Sequence, residues 1–225
     1  MKAMILAAGL GERMRPLTDR TPKPLLQVAG RPLIDYHLAG LAGAGVREVV
    51  INVSHLAEQV RDYCGDGSRW GLRIAYSPED SPLETAGGIL NALPLLGEQP
   101  FLVVNGDIWA DIAFAPLLAR ELPADVDAHL VLVDNPPQHP LGDFVLDGQG
   151  RLAYRDAAEA GLTYAGVGIY APSLLRGLTP GKTPLRPLLD RAIGEQRLSG
   201  EYHGGAWHDI GTPERLAELD AALRA

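Results

Sequence analysis

The chain begins with a short apolar segment that runs directly into a loop of glycine and basic residues. The segment from Met4 to Ala8 is apolar enough for a buried strand, and Gly9 and Gly11 follow it. Glycine lets backbone N–H groups approach an anion without obstruction from a Cβ atom. Arg13 and Lys23 then add positive charges that are suited to charge-assisted hydrogen bonds with phosphate. This pattern predicts a strand followed by an anion-binding loop.

The charge distribution supports an anion site near the start of the chain. Residues 1–31 carry six Lys or Arg and two Asp or Glu, a formal charge of +4, in a chain whose net charge is −8. The acidic total argues against general binding to nucleic acid or to a membrane surface. No apolar run approaches the roughly 20 residues that a membrane span needs. The chain has a single cysteine, Cys64, and no leader segment, which favours a cytoplasmic protein.

Strand-like and helix-like segments alternate through the first 140 residues. The apolar runs that predict strands are residues 3–8, 48–53, 72–76, 101–105 and 128–133. Helical periodicity lies between them at residues 32–44, 56–64 and 86–96. This alternation predicts an α/β fold with a Rossmann-like, doubly wound and mostly parallel sheet.

The pattern changes from about residue 141. Asp147-Gly148-Gln149-Gly150 separates apolar segments at 144–146 and 152–154, which predicts a hairpin. Residues 163–170 are predicted as another strand of this second, antiparallel part. Thr212-Pro213-Glu214 has the composition of a helix start and predicts a final helix. We therefore expect one domain over residues 1–225, with a small antiparallel elaboration after about residue 140.

Two acidic residues are candidate metal ligands. Asp107 follows a predicted strand within Asn105-Gly106-Asp107, so it is expected at the same sheet edge as the glycine loop. Asp209 lies before the final helix. Taken singly, each acid is also typical of a turn or a helix cap. As a pair they suit Mg²⁺, which binds through one or two carboxylates and substrate phosphates.

Three further segments are candidate ligand contacts. Ser81–Gly88 enters a predicted helix through a flexible stretch that offers backbone groups to a flat base. The segments around Gly142 and Gly166 place glycines at strand edges where a sugar fits, although β-bulges give the same pattern. Other motifs are weak. Met14 replaces the third glycine of a dinucleotide-binding loop, Gly181-Lys182-Thr183 lacks the first glycine of a P-loop, and the scattered histidines predict no zinc site.

Taken in order, these motifs resemble the sugar-1-phosphate nucleotidyltransferases. The matching residues are Leu6-Ala7-Ala8-Gly9-x-Gly11-x-Arg13-Met14-x-Pro16, Pro22-Lys23-Pro24, Gly106-Asp107 and Trp207-x-Asp209-x-Gly211-Thr212. The segments Pro82–Gly88, Val104–Asp111 and His139–Phe144 are similar to the branch that joins UTP and N-acetylmuramate 1-phosphate during bacterial cell-wall recycling. The resemblance implies that the sugar phosphate attacks UTP in the presence of Mg²⁺ and gives UDP-N-acetylmuramate and pyrophosphate.

The resemblance also implies roles for particular residues. The implied catalytic residues are Arg13, Lys23 and Asp107, and the implied metal ligands are Asp107 and Asp209. The implied nucleotide contacts are Ala7, Ala8, Gly9, Gly11, Arg13, Lys23, Glu84 and Gly87. The implied sugar contacts are Asn105, Gly142, Asp143, Tyr164 and Gly166. Residues 1–140 would then bind the nucleotide and residues 141–225 the sugar, in a monomer or small homo-oligomer that acts on small molecules.

Two alternatives stay open at this point. Guanylyltransferases for mannose 1-phosphate have a similar Leu-x-Thr-Ala-Gly segment, so GTP with mannose 1-phosphate is the second choice of substrates. A non-catalytic sensor of nucleotide sugars would keep the fold and lose turnover. The presence of all four matched charged residues argues against a sensor: Arg13, Lys23, Asp107 and Asp209.

Overall fold

The computed structural model describes residues 1–155 and 160–224. The strands are β1 (Ala3–Leu6), β2 (Gln27–Val28), β3 (Arg31–Pro32), β4 (Glu48–Val53), β5 (Arg73–Pro78), β6 (Phe101–Asn105), β7 (Ile108–Ala110), β8 (Ala128–Val133), β9 (Phe144–Leu146), β10 (Leu152–Tyr154), β11 (Thr163–Tyr170), β12 (Leu198–Tyr202) and β13 (Trp207–Asp209). The helices are α1 (Leu33–Gly43), α2 (Ala57–Cys64), α3 (Glu84–Leu96), α4 (Phe114–Ala119), α5 (Arg186–Gly194) and α6 (Pro213–Arg224).

The centre of the fold is a seven-stranded sheet in the order β12-β8-β11-β6-β1-β4-β5. β1 pairs in parallel with both β4 and β6, and β4 pairs in parallel with β5. β12 pairs in parallel with β8 at the other edge. The predicted α/β class with a mostly parallel sheet is confirmed. β9 and β10 form the predicted small antiparallel hairpin beside it.

The position of β11 differs from the sequence prediction. Residues 163–170 were expected in the antiparallel elaboration, but β11 lies between β6 and β8 in the central sheet and runs antiparallel to both. Its residues from Ala165 to Tyr170 are all buried. A strand that is apolar on both faces must be covered on both faces, which places it inside a layered sheet. The second half of the chain therefore completes the main sheet.

Alternate residues of β1 pack into opposite layers. Ala3 and Ile5 join a cluster with α1 and α2, whereas Met4 joins a cluster with α3 and α5. This arrangement follows from the two-residue period of a strand and makes the sheet doubly wound. The predicted buried thiol of Cys64 lies in the first layer, and burial raises its pKa to about 12.

A third apolar cluster fixes the two ends of the chain to each other. Met14, in the glycine-rich loop, packs with Leu219 of α6 and with Ile210, which directly follows β13. Each of these three side chains is fully buried. The glycine loop and the segment that carries Asp209 are thus held in one packed unit. Within residues 1–155 and 160–224, every helix is too short or too polar to cross a bilayer.

A buried ion pair joins the starts of β8 and β12. Arg197 donates from Nε and Nη2 to the two carboxylate oxygens of Asp127, each at 2.8 Å. Asp127 is only 3% exposed and also accepts a hydrogen bond from Ser173. The hydrogen bonds from Arg197 lower the pKa of Asp127 below its ordinary value.

We expect Arg197→Met to lower the free energy of unfolding by about 3 kcal/mol near neutral pH, because it leaves a buried carboxylate without its counter-charge. Since the native pKa of Asp127 is depressed, its contribution is complete above the unfolded value of about 3.9 and is lost as the pH falls through the native pKa. Urea unfolding at about pH 7 and about pH 3 measures both effects. The exposed Arg151–Asp125 pair gives the control, since Arg151→Met should cost under about 1 kcal/mol. An equal loss from both variants would contradict the prediction.

Candidate active site

Two loops meet at the carboxyl ends of the neighbouring strands β1 and β6. Leu6 is paired with Asn105, and the N–H of Gly106 donates to the carbonyl of Leu6 at 2.9 Å. A Cβ atom on Gly106 would lie 2.6 Å from that carbonyl oxygen, so the approach requires glycine. The predicted meeting of the glycine loop with the turn that carries Asp107 is confirmed.

These loops form one wall of an open cleft. Its lining residues are Leu6, Ala7, Ala8, Gly9, Lys23, Pro24, Asn52, Glu79, Pro82, Glu84, Thr85, Asn105, Gly106 and Asp107. The set brings together most of the predicted nucleotide contacts and adds Asn52 and Glu79, which the sequence analysis did not single out.

Lys23 projects its ammonium group into this cleft. The Nζ atom lies 2.7 Å from Oδ2 of Asp107, and the lysine side chain is 10% exposed whereas that of Asp107 is 40% exposed. Lys23 opens a short 3-10 turn after Pro22. The buried aliphatic stem leaves only the charged end available to a ligand. Asp107 therefore fixes the direction of a cation at the point where the two loops meet.

The glycine-rich loop is folded back on itself beside Lys23. Gly11 has a φ of 63°, and its carbonyl accepts a hydrogen bond from the hydroxyl of Thr18 at 2.8 Å. A Cβ atom at Gly11 would lie 2.7 Å from the methyl group of Thr18. Arg13 follows in an exposed turn and lies outside the residues that line the cleft. The predicted phosphate contact from Arg13 is therefore not formed by a residue of the cleft lining, in contrast to Lys23.

Asp209 is brought next to Asp107 by a two-stranded ladder. β13 pairs with β7 so that Asp209 lies opposite Ile108, and the N–H of Ile210 donates to the carbonyl of Asp107 at 2.9 Å. The carboxylate of Asp209 forms an ion pair with Arg215 of α6. Each acid thus has one basic partner, Lys23 or Arg215, and retains oxygen lone pairs for another ligand.

The donor set fits a magnesium ion that also binds substrate. Across the described part of the chain, no group of three or more His, Cys, Asp or Glu is arranged to hold a metal by itself. Mg²⁺ commonly takes one or two carboxylates and completes its octahedron with phosphate oxygens and water. Asp107 and Asp209 supply two carboxylates from adjoining backbone segments, and of the two only Asp107 is among the residues that line the cleft. The buried imidazole of His37 is close enough to Asp107 to interact with its charge. Burial lowers the pKa of His37 to about 4, so this imidazole is neutral at pH 7 and adds no positive charge near Asp107.

The opposite wall of the cleft is the segment that leads into α3. Glu84 has a φ of 59°, a conformation that is costly for a residue with a side chain. Its carboxylate lies 3.4 Å from the ammonium group of Lys182. Strain of this kind is concentrated at functional sites, which is consistent with a contact from Glu84 to a ligand.

Residues 181–183 form a strap behind this wall. Thr183 donates its N–H to the carbonyl of Leu83 at 2.9 Å and accepts from the N–H of Gly87 at 3.0 Å. A Cβ atom at Gly87 would lie 2.3 Å from the carbonyl oxygen of Gly181. Gly87 therefore supports the wall from behind and does not line the cleft. In sequence, Gly181-Lys182-Thr183 resembles only an incomplete P-loop, and its role as a strap was not predicted.

Of the predicted sugar contacts, Asn105 lines the cleft, whereas Gly142, Asp143, Tyr164 and Gly166 are not among its lining residues. The carboxylate of Asp143 accepts hydrogen bonds from the backbone N–H of Tyr164 at 2.9 Å and lies 3.1 Å from Nε2 of His139. The hydroxyl of Tyr164 is 2.8 Å from that of Tyr170. Gly142, with a φ of 65°, packs against Asn135. The predicted sugar-side residues are thus held in place by hydrogen bonds within the protein.

Gly166 connects the sugar side with the cleft. It has a φ of 79° and lies in the β-bulge between Tyr164 and Gly168 of β11. A Cβ atom there would lie 2.8 Å from Nδ2 of Asn105, which lines the cleft. Both interpretations of this glycine, a bulge and a close approach at the site, therefore apply.

Comparison with known proteins places this geometry in context. The family model described as Nucleotidyl transferase matches residues 2–225. The chain is 54% identical over 229 residues to the N-acetylmuramate alpha-1-phosphate uridylyltransferase of Neisseria meningitidis serogroup B, covering 100% of this chain and 99% of that protein. It is 39% identical to the protein with the same name in Caulobacter vibrioides, covering 98% of this chain and 96% of the relative.

More distant similarities extend to other substrates. The chain is 33% identical to mannose-1-phosphate guanylyltransferase of Mycobacterium tuberculosis, covering 98% of this chain and 64% of the relative. The fold resembles the crystal structure of a putative glucose-1-phosphate thymidylyltransferase from Bacillus anthracis in complex with a sucrose. The TM-score is 0.87 at 22% identity, with 100% of this chain and 95% of that chain covered.

Proposed function

The chain belongs to the nucleotidyl transferase family, and within this family we propose that it joins UTP and N-acetylmuramate α-1-phosphate to give UDP-N-acetylmuramate and pyrophosphate. The observation that carries the proposal is the Lys23–Asp107 pair at 2.7 Å in the cleft. Its support is the 54% identity over the whole chain to a relative named for this reaction. We assign the reaction to the cytoplasm, within recycling of the bacterial cell wall.

The phosphate side of the cleft is formed by the glycine-rich loop. Ala8, Gly9 and Gly11 would present backbone groups to the triphosphate, and Arg13 would bind its β- and γ-phosphates from the exposed edge. The N–H of Ala7 already donates to Asn52 at 2.7 Å, so a contact from Ala7 to the nucleotide would use its other atoms. Lys23 would neutralise charge on the α-phosphate and on the incoming sugar phosphate.

Asp107 and Asp209 would hold a magnesium ion beside Lys23. When bound, this ion supplies positive charge that neutralises the phosphates and orients them. Lys23 pairs with Asp107 and Arg215 pairs with Asp209, and these ion pairs would hold the two carboxylates in position.

The reaction needs little covalent chemistry from the protein. An oxygen of the sugar phosphate forms a bond to the α-phosphorus of UTP, and the bond from that phosphorus to the bridging oxygen of pyrophosphate breaks. The attacking phosphate is already ionised near neutral pH, so no general base is required. Positioning and charge neutralisation by Arg13 and Lys23 would supply most of the acceleration.

The remaining predicted contacts divide between base and sugar. Glu84 lies on the wall of the cleft opposite the phosphate loop and would contact uracil, with Gly87 supporting that wall. Asn105 lines the cleft beside Asp107 and would contact the sugar. The other proposed sugar contacts are Gly142, Asp143, Tyr164 and Gly166, of which Gly166 packs against Asn105.

Pyrophosphate release tests this proposal. Each of UTP, GTP, dTTP and ATP is incubated with Mg²⁺ and with N-acetylmuramate, N-acetylglucosamine, glucose or mannose 1-phosphate. We expect release with UTP and the muramate phosphate, and loss of release when EDTA removes the metal. Preference for GTP and mannose 1-phosphate would overturn the substrates while keeping the reaction class. Nucleotide binding without release from any pair would favour the sensor instead.

A further inference from the structure

A line of buried hydrogen bonds crosses the floor of the cleft. It runs from the glycine-rich loop after β1, called the phosphate loop below, to the segment that leads into α3. The N–H of Ala7 donates to Oδ1 of Asn52 at 2.7 Å, and Nδ2 of Asn52 donates to Oε1 of Glu79 at 2.7 Å. Oε2 of Glu79 accepts from the N–H of Leu83 at 2.8 Å. We call these four residues the relay.

The relay follows the carboxyl ends of three neighbouring strands. Ala7 comes directly after β1, and Asn52 lies in β4, next to Leu6 in the register. Glu79 follows β5 and donates its own N–H to the carbonyl of Val53 at 2.8 Å. The two loops that the relay joins are therefore fixed to the carboxyl ends of β1, β4 and β5.

The two side chains of the relay are enclosed. Asn52 is 3% exposed and Glu79 is 6% exposed. A Cβ atom on Gly88 of α3 would lie 2.7 Å from Oε1 of Glu79 and 2.9 Å from Nδ2 of Asn52, so α3 covers the pair without room for a methyl group. Among the described residues, no Lys or Arg forms an ion pair with Glu79, and each of its two carboxyl oxygens accepts a hydrogen bond from one N–H donor.

The direction of each hydrogen bond is determined by chemistry. The backbone N–H of Ala7 can only donate, so the amide oxygen of Asn52 must face Ala7 and its nitrogen must face Glu79. Both carboxylate oxygens of Glu79 are already engaged by the protein. Asn52 and Glu79 are thus held by hydrogen bonds on both sides, and each connects to one of the two loops.

We propose that Asn52 and Glu79 are positioning residues that set the spacing between the phosphate loop and the segment that carries Glu84. This inference rests on the proposed function, because it takes the cleft to bind a nucleoside triphosphate across these two walls. A fixed spacing holds the α-phosphate in line with the attacking oxygen while the base is bound at the other wall. A displacement of about 1 Å in such a site is sufficient to slow turnover by as much as about 10²-fold.

An exchange of amide and carboxylate between the two positions tests the relay. Asn52→Asp alone places two carboxylates side by side, and Glu79→Gln alone makes an amide nitrogen face either Asn52 or the N–H of Leu83. We expect each single variant to lose about 10- to 100-fold in kcat/KM for UTP. The loss should include a raised KM for UTP.

The double variant Asn52→Asp with Glu79→Gln should recover the activity to within about threefold of wild type, because all three hydrogen bonds can form again. The new carboxylate at position 52 accepts from Ala7 and from the new amide at position 79, whose oxygen accepts from Leu83. The total charge is also unchanged. If Asn52→Asp does not fold, the comparison of Glu79→Gln with the double variant still tests the relay, because these two proteins differ only at position 52.

A second readout separates the relay from the reaction. Hydrogen exchange of the Ala7 and Leu83 amides, measured by NMR, should be faster in the single variants and slow again in the double variant. Asn91→Asp is the matched control. Like Asn52, Asn91 forms two hydrogen bonds, donating to Ser77 and to the carbonyl of Pro78, each at 3.0 Å, but it lies outside the cleft lining. Its activity should stay within about twofold of wild type, as for a surface substitution.

Three outcomes would overturn the proposal. Single variants that keep wild-type kinetics would show that the relay does not position the loops. A double variant that regains amide protection but not activity would show that the Glu79 charge contacts the nucleotide directly. If wild-type protein releases no pyrophosphate while amide protection follows the expected pattern, the proposed function fails and the link to nucleotide spacing fails with it. In that case the relay only holds the two loops together and has no role in positioning a nucleotide.

Discussion

The Asp107→Asn enzyme is expected to lose turnover by at least about 10³-fold while it keeps the wild-type fold, because metal-based charge stabilisation is worth several kcal/mol and each 1.36 kcal/mol is a factor of ten. The new amide oxygen can still accept from Lys23, so the local packing is retained. The negative charge that would hold the magnesium ion is lost. Initial rates over a wide range of Mg²⁺ concentration, with circular dichroism and thermal unfolding, measure both parts of the prediction.

Asp125→Asn is the control for this experiment. Asp125 also forms an ion pair, with Arg151 at 3.0 Å, but its side chain is 65% exposed and it lies outside the cleft. Its substitution should change activity by no more than about twofold, as is usual for a surface ion pair. An Asp107→Asn enzyme that retains wild-type turnover at saturating Mg²⁺ would remove Asp107 from the proposed metal site.

Much of the site could be predicted because it follows from the topology of parallel strands. Leu6 and Asn105 end neighbouring strands, so the loops after them must emerge at one edge of the sheet. The position of Asp209 is harder to predict from the sequence. Its approach to Asp107 depends on pairing between β7 and β13, which are three residues long and about a hundred residues apart in the chain. The family motif, and not periodicity, indicated that residue.

Asn52 and Glu79 were missed although the sequence contains a signal for both. Asn52 is the one polar residue within the apolar run from Val49 to Val53, and it lies near the carboxyl end of a buried strand. A buried polar side chain at that position requires partners, and in a parallel sheet those partners lie in the ligand crevice. When the run is interpreted only as a buried strand, the polar residue within it, Asn52, is overlooked.

The position of β11 and the strap at residues 181–183 depend on contacts that no local pattern specifies. β11 is continuous in its apolar character, which indicates burial on both faces but not which strands are its neighbours. The strap joins Thr183 to Leu83, a hundred residues earlier. Both features depend on pairing between segments that are far apart in the chain.

The second large effect is expected at Lys23. We expect Lys23→Met to lower kcat by about 10²- to 10³-fold, the usual cost of removing a fixed donor that stabilises charge in the transition state. Methionine fills the volume of the buried stem, so the packing around the 9% exposed residue is preserved. Asp107 then loses the cation that lies 2.7 Å away, while it keeps its exposure to the cleft. Steady-state kinetics with UTP and the sugar phosphate varied separately give kcat and each KM.

Lys23→Arg should fail to restore the rate, because the guanidinium group is planar and larger than the ammonium group that the enclosed site accommodates. Lys2→Met is the matched control: Lys2 donates to the carbonyl of Leu95 at 2.7 Å and lies before β1, at the end of the strand opposite the glycine-rich loop. Its kinetics should match wild type. If Lys23→Met raised only the KM for UTP and left kcat unchanged, Lys23 would act in ground-state binding alone, and the proposal that it stabilises the transferring phosphate would be wrong. A fall in kcat with an unchanged KM would place its effect in the transition state, where a cation held in position by Asp107 is most effective.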